Sequence, residues 1–358
     1  MIENEAPVIA DSLWSATANA TPHCPPLEGE VSAEVVVVGA GFTGLSAALH
    51  LAERGVETVV VEAETPGWGA SGRNGGQVNP GLIEDPDQVE ARFGSEMGGR
   101  MIRLSGGAGD LVFSLIERHA ISCDALQSGW IRAAHNAAAL KALTSRVEQW
   151  QHRGGPLRLL SRSEVEEMIG TDVYCGGAID PRGGNVHPLN YALGLADAAI
   201  AAGARIHGRS RALGLTQEAG KKVIETAQGR VRADKLLLCT NGYTDRLVPP
   251  LAQTIVPVRS IQVATEPLSD NIRASILPGR QAPSDTRRLL LYFRMDAAGR
   301  FIMGGRGAYG DEGTLRAQER LRKASRDMFP QLADAKWQHA WGCLLYTSPS
   351  PRDLNPNR

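Results

Sequence analysis

Apolar and polar positions follow two distinct periods along this chain. Residues 35–38 form an unbroken β-branched run, Val35 through Val38, the pattern of a strand buried on both faces of a parallel sheet. Over residues 43–54 the apolar side chains Leu45, Ala48, Leu49 and Ala52 recur at helical spacing, and Gly55 stands where a C-cap belongs. Residues 58–61 are a second apolar run. Strand, helix and strand within about 30 residues predict a βαβ unit with a right-handed crossover.

The helical period returns over residues 88–119, broken near Gly106 and Gly107, and again over 137–151, 189–202 and 314–328. Residues 163–169 predict a short helix with Ser163 as N-cap and Glu166 completing a capping box. Residues 129–134 read as a short strand. From 205 to 240 strand follows strand, with tight turns at Ala219-Gly220 and at Gly229. Residues 260–265, 289–293 and 300–303 alternate as half-buried strands, the last two joined in a hairpin at Ala298-Gly299. A parallel start is thus interrupted by α+β segments and resumed near residue 240. The expected class is α/β. A Rossmann-type domain covers 31–110 and 185–250, interleaved with an α+β substrate domain containing an antiparallel sheet over 111–184 and 251–342. Residues 1–30 are expected to form an N-terminal arm.

Length and composition narrow the function. At roughly 150 residues per domain, 358 residues allow about two domains. An apolar share of 42% with 22% charged residues excludes intrinsic disorder. Basic residues number 38 against 39 acidic ones and form no block, which argues against nucleic acid or an anionic membrane as partner. No apolar run approaches the ~20 residues of a membrane span. The first ten residues carry Glu3 and Glu5 and no basic segment, unlike a signal peptide, so the expected location is cytoplasmic. Cys24, Cys123, Cys175, Cys239 and Cys343 show no C-x-x-C spacing, and no metal site is expected.

Glycine adds the chemistry. Gly39-Ala40-Gly41-Phe42-Thr43-Gly44 fits G-x-G-x-x-G between the first strand and its helix, and Glu62 ends the next strand 21 residues after Gly41. In such a turn Gly39 makes the tight bend, Gly41 admits a pyrophosphate, and Gly44 lets helix pack on strand. The helix N-terminus then offers free N–H groups to the phosphates. Glu62, followed by Ala63, is placed to accept hydrogen bonds from ribose hydroxyls, which disfavours a 2′-phosphate. This fingerprint does not separate NAD from FAD. The next cluster does: Gly69-Ala70-Ser71-Gly72-Arg73-Asn74-Gly75-Gly76-Gln77-Val78 can wrap a pyrophosphate and run along a flat ring. The cluster at Gly183-Gly184 is a third ligand-facing turn, and that from Gly304 to Gly310 reads as an ordinary loop.

These residues resemble the FAD-dependent amine and amino-acid oxidases of the D-amino-acid oxidase type, in a branch similar to the γ-glutamylputrescine oxidases. The resemblance takes in Leu13-Trp14, the fingerprint and Gly67-Trp68-Gly69 through Gly76. It continues through Asp180-Pro181, Gly184, His187-Pro188, Cys239-Thr240-Asn241-Gly242-Tyr243-Thr244 and Tyr292-Phe293-Arg294, and ends at Gly304-Gly305. It implies FAD held by three separated stretches, with a second domain over the flavin ring. Thr240, Asn241 and Gly242 would lie near the adenosine part, and Val223 would face the adenine or simply fill a core. The implied substrate is a small amine or amino acid, such as a γ-glutamylated polyamine, with oxygen as acceptor and peroxide as product.

Within that resemblance Tyr292 and Arg294 are the candidates at the substrate, because a guanidinium binds a carboxylate bidentately. The other reading of Arg294 is an exposed sheet arginine. Arg73 either favours an anionic reduced flavin or caps its loop, and His187 reads as a turn histidine rather than a base. Two other functions stay open: an NAD-linked dehydrogenase, and a truncated fragment that binds nucleotide without turnover. The second arises from the tail. Residues 343–353 show neither period and match the translation of a sequencing-library adapter, so 343–358 are read as non-native and the chain as written is expected to bind FAD weakly and turn over poorly.

Overall fold

The computed structural model describes residues 10–244, 246–307 and 314–347. Glu3, Glu5, Gly310 and the end of the tail lie outside them. In chain order the first elements are α1 (Leu13–Ala16), β1 (Gly29–Val38), α2 (Phe42–Ala52) and β2 (Thr58–Val61). Then follow β3 (Gln77–Val78), α3 (Pro86–Gly106), α4 (Ala108–Arg118), β4 (Trp130–Ala134), α5 (Ala137–Gln151), β5 (Arg158–Leu160) and α6 (Arg162–Ile169). The middle comprises β6 (Gly176–Asp180), β7 (Gly184–Asn185), α7 (Pro188–Ala201), β8 (Arg205–His207), β9 (Gly214–Glu218), β10 (Lys221–Glu225) and β11 (Gly229–Leu238). Last are α8 (Pro249–Ala252), β12 (Val256–Thr265), α9 (Asp270–Ser275), β13 (Ala282–Asp285), β14 (Tyr292–Met295), β15 (Phe301–Arg306), α10 (Thr314–Met328) and β16 (Trp337–Thr347).

Two compact units divide these elements. The first takes the described residues up to Asn74, Pro188–Ser260, and those from Trp341 onward. Its six-stranded sheet has the order β8-β2-β1-β11-β10-β9. β1 lies parallel to β2, with Val35 opposite Thr58 and Val38 opposite Val61, and parallel to β11, with Gly29 opposite Gly229. β10 and β9 return antiparallel. The β-branched runs form one core, with Val36, Val38, Val59, Val61, Ile224 and Val231 all buried.

Gly75–His187 and Ile261–Ala340 make the second unit. Its sheet has the order β16-β12-β15-β14-β13-β4-β6-β5, to which β12 and β16 give their residues 261–265 and 337–340. β14 and β15 are the expected hairpin, with Arg294 opposite Ile302. Phe293, Phe301 and Phe329 pack edge and face at 5.2–6.1 Å between ring centroids.

Several boundaries differ from expectation. Residues 75–110 cluster with the second unit, not the first, because β3 pairs with β7 at Gln77–Asn185. The described part of the arm belongs to the first unit, where Leu13 and Trp14 are buried. The N-cap of α6 is Ser161, not Ser163: its hydroxyl accepts from Glu164 N–H, and Glu164 reaches back to Ser161 N–H. α3 carries a further break at Gly94, where φ is 79°. The first residues of the expected tail, 343–347, belong to β16, which runs through Thr347 beside β12, and Cys343 is buried. Among the described residues no helix is long and apolar enough to cross a membrane.

Candidate active site

In the first unit the turn from β1 into α2 is built as the fingerprint requires. Gly39 has φ +104°, and a Cβ there would stand 2.7 Å from the Cys239 carbonyl oxygen. One on Gly44 would stand 2.0 Å from the Gly39 oxygen. Only glycine satisfies both conditions at Gly39. Gly41 is the N-cap of α2 and gives no side-chain cap, so the first-turn N–H groups look to other partners. Phe42 N–H donates to Ser71 Oγ at 3.0 Å, which ties the second glycine loop to the fingerprint helix.

Glu62 closes the same turn from the end of β2. Its Oε2 accepts from Ala40 N–H at 2.6 Å and its Oε1 from Glu64 N–H at 3.0 Å. Burial pushes its pKa up, against the two backbone donors that favour the carboxylate. Together these residues wall a cavity of about 580 Å³, of small-molecule size. Gly39, Gly41, Phe42, Thr43, Glu62 and Ala63 form one wall of it, and Gly69, Ala70 and Ser71 another. Thr240, Asn241 and Gly242 form a third, where Asn241 sits at φ 51° and takes Gly242 N–H on its Oδ1 at 2.7 Å. Sequence reasoning did not find Arg211 and Arg246, which also line the cavity; nothing in their local pattern separates them from surface arginines. Val223 is not brought to it. That side chain is fully buried in β10, central in the β9-β10-β11 layer, and Arg211–Leu213 line the cavity instead.

The residues fit a dinucleotide. The N-terminus of a helix whose N-cap offers no side-chain cap suits a pyrophosphate, a carboxylate at the strand end suits ribose hydroxyls, and Leu213, Leu247 and Ile255 supply apolar wall. Beyond the cavity, Arg73 caps its own loop: Nε donates to Trp68 O at 2.8 Å and the guanidinium lies 4.4 Å from the Trp68 ring centroid. Asn74 Nδ2 donates to the Ser71 and Ala70 carbonyls.

In the second unit the loop continues through Gly75, Gly76 and Gln77, whose Nε2 donates to Pro283 O and Phe293 O. Arg294 on β14 is 1% exposed, so it is not an exposed sheet arginine. Its Nη1 donates to Val186 O at 2.6 Å and Gly76 O at 2.9 Å, which engages that nitrogen with main chain rather than with a solute carboxylate. Burial lowers its pKa to about 10. Tyr292, also on β14, takes a hydrogen bond on its hydroxyl from Gln262 Nε2 at 2.6 Å. Its ring is fitted against two glycines: a Cβ on Gly75 would meet it at 2.7 Å and one on Gly304 at 2.2 Å. Gly304 is thus a packing requirement rather than part of an ordinary loop. Gln262 was missed by the sequence reading; its only signal is a polar residue within the run Ile261-Gln262-Val263. His187 is buried, with burial and then the Arg294 charge lowering its pKa to about 4.

A βαβ fingerprint bound to a second glycine loop defines a dinucleotide-binding protein. The chain belongs to the DAO family of FAD dependent oxidoreductases, whose profile matches residues 34–356. FAD is its cofactor. It is 34% identical over 333 residues to the probable oxidoreductase OrdL of Rhizobium meliloti (strain 1021), covering 92% of this chain and 77% of that one. It is likewise 34% identical over 339 residues to the γ-glutamylputrescine oxidoreductase of Escherichia coli (strain K12), covering 94% and 79%. Among solved structures, glycine oxidase from Geobacillus kaustophilus shares the fold, with a TM-score of 0.71, 19% identity, and 89% and 84% of the two chains covered.

Proposed function

We propose that this protein oxidises the C–N bond of an amine or amino acid in the cytoplasm, taking a γ-glutamylputrescine-like substrate, with oxygen as electron acceptor. The observation that carries the reading is the tie of the second glycine loop to the fingerprint helix through Ser71 and Phe42, which suits FAD rather than NAD. The likeness to γ-glutamylputrescine oxidoreductase supports the substrate class.

Bound FAD supplies a two-electron acceptor for hydride. In the substrate the C–H bond beside a neutral amine breaks, the nitrogen lone pair forms C=N, and the nitrogen releases a proton. Water then adds to C=N and frees an aldehyde or keto acid, with ammonia from a primary amine or a smaller amine from a secondary one. Oxygen takes up the two electrons and two protons and leaves as hydrogen peroxide. The protein's part is binding and orientation. With FAD bound, Glu62 would accept from the ribose hydroxyls, Gly41 and the start of α2 would receive the pyrophosphate, and Asn241 and Gly242 would hold the adenosine part. Tyr292, fixed by Gln262, orients the substrate. Arg294 is a positioning residue that holds the Gly75-Gly76 main chain.

A panel of γ-glutamylputrescine, putrescine, glycine, sarcosine and proline tests the reading by two measurements, peroxide released in air and bleaching of the flavin bands without oxygen. Bleaching by an amine with peroxide in air is the expected result. Bleaching without peroxide removes oxygen as the acceptor, and reduction by NADH alone with no amine active overturns the function.

A further inference from the structure

The second glycine loop is held from behind by two tryptophans far away in sequence. Trp14 on α1 donates from its indole Nε1 to Asn74 O at 2.8 Å, and Trp341 on β16 donates to Arg73 O at 2.8 Å. Both indoles are buried, and they meet edge to face with centroids 5.7 Å apart. On the loop's other side Arg73 stacks on Trp68, and Trp68 meets Tyr243, 5.4 Å away, in the cavity wall. The loop residues Ala70 and Ser71 that line the cavity therefore lie between a cavity-side stack and two fixed carbonyls. Because a trans peptide points its N–H opposite its C=O, fixing the Asn74 carbonyl also fixes the direction of the Gly75 N–H.

We infer that Trp14 and Trp341 form a latch that positions the FAD-binding loop, so that α1 serves the cofactor site although none of its residues lines the cavity. The indole N–H groups act through the Asn74 and Arg73 carbonyls, which border the cavity-lining residues Ala70 and Ser71 in the same loop. Loss of an indole N–H leaves a buried carbonyl short of a donor and frees a peptide plane next to the ligand. The inference rests on FAD occupying this loop.

Trp14→Phe and Trp341→Phe keep an aromatic ring and remove the N–H. Each is made in the full chain, stripped of flavin, and titrated with FAD by flavin fluorescence, while thermal midpoints are recorded with and without FAD. Each substitution is expected to weaken FAD binding at least about fivefold. The rise in midpoint on adding FAD should shrink, and the double variant should lose less than the product of the singles because both act on one loop. An FAD affinity within twofold of the parent, with only a lower midpoint, means a structural role and overturns the latch. So does failure of both variants to fold with FAD in excess. A parent chain that takes up no FAD overturns the cofactor assignment itself, a different outcome from a parent that binds while both variants bind equally well.

Discussion

At the scale of single residues, the site depends on groups with no room to change. The Glu62 carboxylate accepts two main-chain N–H groups, so Glu62→Gln turns an amide donor toward a donor. FAD affinity should fall about tenfold or more, read by fluorescence titration. Gly304→Ala would place a Cβ 2.2 Å from the Tyr292 ring and push the phenol off Gln262. The expected result is full flavin content by absorbance with KM for the amine raised several-fold, at a stability cost of about 1–3 kcal/mol. Loss of flavin from that variant would place Tyr292 at the cofactor rather than the substrate. Arg294 shows where residue-level reading stops. Its chemistry suits a carboxylate, yet burial decides what it binds, and the carbonyls it meets belong to residues 108 and 218 positions away.

At the scale of elements, strong local periods were legible and phase was not. α5 and β2 lie where their patterns predict, since a continuous apolar run or a clean helical stripe has one solution. The start of α6 offers two, because Ser161 with Glu164 and Ser163 with Glu166 both satisfy the capping-box spacing. Tertiary context selects the first. Ser161→Ala should therefore cost about 1 kcal/mol in denaturant unfolding, while Ser163→Ala should stay within about 0.5 kcal/mol. An equal effect of the two would contradict the cap. β6 escaped notice for a different reason: Gly176-Gly177 breaks any alternation, and the strand exists because β4 and β5 pair with it from both sides. The indole caps were equally invisible, joining residues 60 and 268 positions apart.

At the scale of the whole molecule, acid should act through His187. An unfolded chain takes up the proton near pH 6.5, whereas the folded protein, with this ring buried beside Arg294, does so only near pH 4. Between those values the unfolded state binds more protons, so stability falls as pH is lowered, by up to about 3 kcal/mol once below pH 4. His187→Asn should flatten that part of the stability–pH curve. An unchanged slope would mean that carboxylates carry the acid sensitivity instead.

The register of β1 has a consequence for how the protein is made. Gly29 pairs with Gly229 and Val38 with Leu238, so one side of the central strand waits for about 200 further residues after its own synthesis. At ribosomal rates of roughly 5–20 residues per second, that wait is about 10–40 s. β2 can join the other side early, because Val38 and Val61 lie within one βαβ unit. During that interval a run of four valines stands at an open sheet edge on the nascent chain, a target for holdase chaperones and a seed for aggregation. Yield in a host should therefore respond to chaperone supply and to translation speed between codons 62 and 228 more than to changes at the cavity.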